Sequence, residues 1–218
     1  MIFFQNYKMY LDKIKRLLSF DQLYLVMPRN KSYSDNIVLE KAMNVFWVHG
    51  YEATSVRLLE KEMGINQFSI YASFQNKKNL FIQSIRSYRE HVKKHRFQLL
   101  LQENAGLQEL ERFLLGAVNA NKTGISSKGC LVVNTAGELG DKDSEITHEL
   151  NQYYDFIRDM LKNVLRNAIS KKEIPAETNI EQQANFFLGV MQGVSVASKT
   201  MDNNQLSDFI SVALKQIK

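Results

Sequence analysis

Apolar residues in this chain recur three and four positions apart, and little of the sequence alternates with period two. That spacing confines the fold to helices. Only two prolines occur in 218 residues, so little in the chain forbids long helices. The single cysteine excludes an intramolecular disulfide or a thiolate metal cage and fits a reducing cytoplasm. With 44% hydrophobic and 23% charged residues, the chain has the composition of one globular unit or two small ones.

The spacing predicts a first helix from Ser34 or Asp35 to Gly50, with Val38, Ala42, Val45 and Phe46 inward. Two short helices follow, about Ser55–Met63, stopping at Gly64, and about Gln67–Phe74. After Asn76 a long helix is expected to run to about Gln102, burying Leu80, Phe81, Ile85 and Tyr88. Beyond Gly106, helices are read at roughly 107–121, 128–139, 144–171, 178–200 and 203–217. Asp143 or Ser144 and Thr178 or Asn179 serve as N-caps, and Pro175 breaks the third of these from the fourth. The fold class is all-α: an N-terminal three-helix module over 31–80 and a helical domain over 81–218, joined by the long helix.

Residues 1–30 stand apart as an N-terminal extension. Lys8, Asp12, Lys13, Lys15 and Arg16 interrupt its apolar run, which excludes a signal peptide, and no stretch reaches the roughly 18–20 apolar residues of a membrane span. Phe3, Tyr7, Leu11, Ile14 and Leu18 suit an amphipathic helix. Met27-Pro28-Arg29-Asn30-Lys31 reads as the opening of a protein, so either translation starts at Met27 or the extra helix is genuine.

Charge is unevenly placed. Residues 1–102 hold 16 Lys/Arg against 8 Asp/Glu, and residues 103–218 hold 12 against 15. The basic excess lies in the half that carries the short helices, which suits either a module facing a polyanion or ordinary uneven surface charge. Thr54 to Leu80 reads as a helix, a turn relieved by Gly64 and plugged by Ile65, and a second short helix. This is a helix-turn-helix. Asn66, Gln67 and Ser69 open the second helix with side chains that reach base edges in a major groove, and the Tyr71 phenol suits phosphate. Lys77 and Lys78 sit in the first turn of the long helix, where the macrodipole disfavours cations; they read either as partners of a bound phosphate or as a solvated surface pair.

Residues 35–81 resemble the DNA-binding domain of the TetR/AcrR family of bacterial transcriptional regulators. The pattern is Ala42, Phe46, Gly50-Tyr51 and Thr54-Ser55-Val56, then Gly64-Ile65, then Ile70-Tyr71, Phe74, Lys77 and Leu80. The resemblance implies that Ser55 and Arg57 approach the DNA backbone. It makes Gln67, Phe68, Ser69, Tyr71, Ala72 and Ser73 the recognition surface, with Lys77 on phosphate. Three positions depart from the pattern. Glu60 stands where a small Ala is usual, which loosens the expected packing of the two helices. Phe68 replaces a small residue or proline, to contact a thymine methyl or to cover a core edge. Ala72 removes one possible base contact.

The run from Lys128 to Ala136, with Glu138, resembles a segment of one large subgroup of that family. That resemblance implies a ligand cavity and a dimer interface in the later helices. Gly189, Gly193 and Ala197 are small at four-residue spacing, which suits either close helix pairing between subunits or ordinary intrachain core, with Phe187, Leu188, Met191 and Val194 supplying area. Helical faces give Phe113, Ala117, Cys130, Asn134, Tyr153, Phe156 and Phe187 as effector-pocket candidates. Cys130 reads either as an oxidant- or electrophile-sensing thiol or as a small buried residue. His91 and His95 share a face without the ligands that would complete a metal site, and Glu138, Asp141, Asp143 and Glu145 read as a helix junction.

No catalytic constellation, metal site or cofactor motif emerges, so no enzyme is expected. The expected protein is a cytoplasmic, homodimeric, ligand-responsive repressor that binds a pseudo-palindromic double-stranded DNA operator, is released by a small-molecule effector and needs no membrane. The alternative is an all-α small-molecule-binding protein without operator recognition.

Overall fold

Local capping chemistry sets most helix boundaries in the computed structural model, which describes residues 33–122 and 128–217. The expectations about residues 1–30 and a start at Met27 lie outside the described residues. From Asp35 onward the chain forms one compact unit, and among the described residues its regular structure is entirely helical.

Helix α1 (Asp35–His49) ends at Gly50, whose φ of +79° is a left-handed stop that favours glycine. Helix α2 (Val56–Met63) starts at Ser55, whose hydroxyl accepts the Leu58 N–H, and ends at Gly64 with φ +74°. Helix α3 (Gln67–Phe74) starts at Asn66, whose side chain accepts the Ser69 N–H. Helix α4 (Lys77–His95) is capped in the same way by Asn76. The first three helices and the start of α4 close over Ala42, Phe46, Leu59, Met63, Ile70, Phe74, Leu80 and Phe81, all buried. The Phe46 and Phe81 rings meet edge to face at 4.8 Å.

The expected long helix to Gln102 is corrected: α4 ends at His95. The N–H groups of Arg96 and Phe97 both donate to the Val92 carbonyl, at 2.8 and 2.9 Å, which widens the last turn. The chain then turns so that Phe97 and Leu100 are buried. Asn167 holds the returning segment through the Glu103 and Ala105 carbonyls at 2.8 and 2.9 Å.

Five helices complete the unit: α5 (Leu107–Lys122), α6 (Leu131–Leu139), α7 (Ser144–Ser170), α8 (Ile180–Ala197) and α9 (Asn203–Lys215). Asp143 caps α7, Asn179 caps α8, and Asp202 forms a reciprocal capping box with Gln205 at α9. The α6 helix starts later than residue 128 because Gly129 takes φ +66°. Helices α7 and α8 pack extensively, α9 lies against α5 and α8, and α4 and α6 each touch both α1 and α7.

Candidate functional site

The two short helices are joined more tightly than the Glu60 departure suggests. Glu60 Oε1 accepts the Gln67 N–H at 2.5 Å, placing a carboxylate from α2 at the positive N-terminus of α3. Lys41 Nζ donates to the Met63 carbonyl at 3.3 Å at the opposite end of the turn. Glycine at position 64 provides the left-handed corner, and the half-buried Ile65 fills it.

This bracing leaves the outer side of α3 exposed. Gln67, Phe68 and Ala72 lie in solvent, with Ser69, Tyr71 and Ser73 half-buried beside them. Phe68 is 77% exposed, so it does not cover a core edge. Ser55 and Asn66 spend a side-chain oxygen on capping their own helices, while Arg57 projects from α2 into solvent. The Lys77 ammonium lies 4.5 Å above the Tyr51 ring.

Lys78 has partners inside the chain. Its ammonium lies 2.6 Å from Glu145 and 3.4 Å from Asp143 at the start of α7. These carboxylates answer the charge at the start of α4 that suggested phosphate in the sequence. Nearby, Glu138 on α6 accepts the Tyr51 and Glu52 N–H groups at 3.0 and 2.7 Å, gripping the turn between α1 and α2. Farther along α4, Arg86 donates twice to the buried Glu149 Oε1, at 2.9 and 2.6 Å. The acidic run 138–145 is therefore a joint between the helix-turn-helix and the later helices.

The pH behaviour of this joint has a definite sign. The Ile146 N–H, then the Lys78 ammonium, holds Asp143 below its ordinary 3.8, while the Glu145 hydrogen bond raises Lys78 above its ordinary 10.5. A depressed carboxylate stabilises the fold above its unfolded pKa and stops doing so as pH falls through its folded one; a raised ammonium stabilises below its unfolded pKa and stops as pH rises through its folded one. Stability from the pair is thus greatest in between. Asp143→Asn keeps a capping side chain but removes the ion pair. Its melting temperature is expected to fall at neutral pH and to converge with wild type in strong acid, as measured by circular dichroism across pH.

Farther from the helix-turn-helix, α4, α5, α7 and α8 line a cavity of about 90 Å³. Of the pocket candidates, Phe113, Ala117, Cys130 and Tyr153 line it, and Asn134, Phe156 and Phe187 do not. Asn134 donates to the Lys128 carbonyl and accepts from Lys199, Phe156 lies tilted against Phe97, ring centroids 6.0 Å apart, under Lys93, and Phe187 is wholly inside the core. Tyr88, Tyr154, Arg96 and Ser195 line the cavity without having been expected there. Cys130 Sγ donates to the Tyr153 hydroxyl at 3.6 Å, and its N–H donates to Ser195 Oγ at 2.8 Å. Burial, then Cys130, pushes the Tyr153 phenol well above its ordinary pKa; the same two causes, in that order, take Tyr154 up to about 12. Both phenols are neutral donors near pH 7.

The cavity is wired to α1. The Trp47 indole N–H donates to the Gly129 carbonyl at 3.1 Å, and its ring meets Tyr88 edge to face at 5.0 Å. Gly129 takes φ +66°, and a Cβ there would lie 2.7 Å from the flexible Lys199 side chain and 3.0 Å from the Ser195 carbonyl, so a side chain at that corner is strained. His91 and His95 lie side by side, ring centroids 4.7 Å apart, and among the described residues no group of three or more His, Cys, Asp or Glu is placed to hold a metal ion. No helix among them is long and apolar enough to cross a membrane.

On α8 the small residues do different things. Gly193 faces Phe209 of α9 within the chain, at a distance where a Cβ would lie 3.1 Å from the ring, while Gly189 meets open space. Phe187, Leu188 and Val194 are buried inside the chain and Met191 lines the cavity, so they do not supply area for an outside partner. Phe186 and Val196 on α8 and Phe209 and Val212 on α9 are large apolar side chains exposed on these two helices.

Comparison with known proteins agrees with this arrangement. A family model described as bacterial regulatory proteins, tetR family, matches residues 38–83, and one described as tetracyclin repressor-like, C-terminal domain, matches residues 106–214, half of the chain. The chain is similar to the HTH-type transcriptional repressor ComR of Escherichia coli (strain K12), 28% identical over 172 residues, covering 78% of this chain and 82% of that protein. It is also similar to the uncharacterized HTH-type transcriptional regulator YezE of Bacillus subtilis (strain 168), 27% identical over 190 residues, covering 86% and 98%. Among solved structures, a cysteine mutant of the TetR family transcriptional regulator CifR, complexed with 26-bp double-strand operator DNA, superposes with a TM-score of 0.75 at 25% identity. It covers 88% of this chain and 100% of that one. With its helix-turn-helix and its later helices matched in order, the chain belongs to the TetR family of bacterial transcriptional regulators.

Proposed function

We propose that this chain is a dimeric repressor of transcription that reads a pseudo-palindromic operator through α3 and leaves it when a small molecule occupies the cavity. The observation that carries the reading is the outer face of α3. A braced eight-residue helix holds Phe68 77% exposed beside Gln67 and Ala72, a surface suited to a thymine methyl and neighbouring base edges. Gln67, Phe68, Ser69, Ala72 and Ser73 address the major groove. Asn66 adds an amide beside its capping oxygen, and Ser55, Arg57, Tyr71 and Lys77 meet phosphates. One such helix makes few contacts, and a two-fold dimer reading half-sites about 34–36 Å apart, or a multiple, makes enough. The exposed Phe186, Val196, Phe209 and Val212 on α8 and α9 supply an apolar face for that dimer. Phe113, Ala117, Cys130 and Tyr153 hold the effector. The relative named a repressor and the operator-bound structure support the same reading.

Fluorescence anisotropy on the DNA upstream of the gene, across a salt series, tests it. Wild-type affinity is expected to fall steeply with salt, and Lys77→Ala to lower the slope by about one. Tyr71→Phe is expected to weaken binding with an unchanged melting temperature. No affinity for any upstream fragment at low salt would leave the all-α small-molecule binder as the better description.

A further inference from the structure

The walls of the cavity are aromatic and aliphatic, and Arg96 is the sole charged residue on its lining among the described residues. Among the described residues Arg96 makes no ion pair, unlike Arg86 and Arg89 within α4, which face Glu149. Two more cations stand at the adjoining corner: Lys128 lies 5.5 Å over the Trp47 ring, and Lys199 donates to Asn134 at 2.6 Å. No carboxylate answers these two either among the described residues. The end of α4 attracts cations, but Lys93, Lys94 and His95 already occupy its last turn. The cavity itself carries no acid, and its tyrosines are neutral hydroxyl donors. A largely apolar pocket, open on one side, with hydroxyl groups in its wall and an exposed guanidinium on its lining that no carboxylate answers, is complementary to an anion with a short apolar body.

We propose that the cavity takes small monocarboxylates, with the carboxylate on Arg96 and the hydrocarbon against Phe97, Phe113 and Tyr154. This rests on the reading of the cavity as the effector site and adds the chemical class. Size sets the scale: the cavity of about 90 Å³ is smaller than the roughly 150 Å³ apolar cavity that accepts benzene. The body is therefore a short chain, or one ring partly in the mouth. Arg96 is the C-cap of α4, so a carboxylate bound there pulls on the end of the helix whose first turn abuts the DNA-binding module.

The chain carries its own reporter, because Trp47 is its only tryptophan and contacts Tyr88 on the cavity wall. Titrations of the full-length protein with butyrate and benzoate, followed by Trp47 fluorescence and calorimetry, are to be compared with butyramide and benzamide. The acids are expected to bind saturably and at least about tenfold more tightly than their amides, the scale of one charge-assisted hydrogen bond. Arg96→Gln is expected to remove that preference and leave amide binding unchanged, and Arg96→Lys to keep part of it. Arg96 is exposed, so these variants are expected to melt as wild type. Equal binding of acids and amides, or an undiminished preference in Arg96→Gln, overturns the monocarboxylate class while leaving the cavity as an effector site. If no probe binds, the proposal falls, and operator binding measured on the same preparation shows whether the repressor reading stands without it.

Discussion

Val212→Glu should give a folded monomer that has lost about a hundredfold or more in operator affinity. Val212 is 58% exposed on α9, so a carboxylate there meets water in the monomer and the melting of the single chain should barely change. In the proposed dimer the same carboxylate enters an apolar interface with Phe186, Val196 and Phe209, where an unpaired charge is strongly disfavoured. DNA affinity then follows the loss of one recognition helix. Linking two weak sites raises overall affinity by roughly 10²–10⁴ without a new contact, and separation forfeits that factor. Sedimentation velocity gives the assembly state and anisotropy the affinity. A dimeric Val212→Glu with wild-type DNA binding would move the interface elsewhere.

Glu138→Ala should be nearly as damaging, by another route. Its carboxylate accepts two backbone N–H groups of the turn that positions α2, and charge-assisted bonds of this kind contribute about 1.5–3 kcal/mol when enclosed. The Glu52 side of the grip is exposed, so a total near 2 kcal/mol is expected. The Tyr51 and Glu52 amides should lose exchange protection, operator affinity should fall, and any effector should have less influence on what remains. Glu138→Gln, which keeps one accepting oxygen, should lie between. Unchanged exchange at both amides in Glu138→Ala would show that the turn is held by other means.

Much of this architecture is legible in the chain because it is written in neighbours. Ser55, Asn66, Asn76, Asp143 and Asn179 each cap a helix that begins one residue later, and Gly50 and Gly64 mark left-handed stops. The apolar set Val38, Ala42, Val45 and Phe46 is buried as its spacing implies. Readings that depend on distant partners fare differently. The end of α4 carries no glycine or proline; Phe97 and Leu100 prolong its apolar spacing, while the chain is turned back by Asn167, some sixty residues on. Lys78 suggests an external anion until Glu145 is brought beside it. Asn134, Phe156 and Phe187 do not line the cavity, because a helical face gives a direction and only packing decides what lies in that direction.

The bond between Glu60 and the Gln67 amide has a kinetic side as well. Together with the Asn66 cap it satisfies the Gln67 and Ser69 amides in the first turn of α3 from within the protein, so the helix arrives at its target already ordered. Little local folding is left for the encounter to accomplish, and the ordering entropy that a frayed reading segment would surrender on contact has been met at folding. Association is then governed by diffusion, steering and the mutual alignment of two rigid heads. A search along DNA can test site after site without remaking the probe each time.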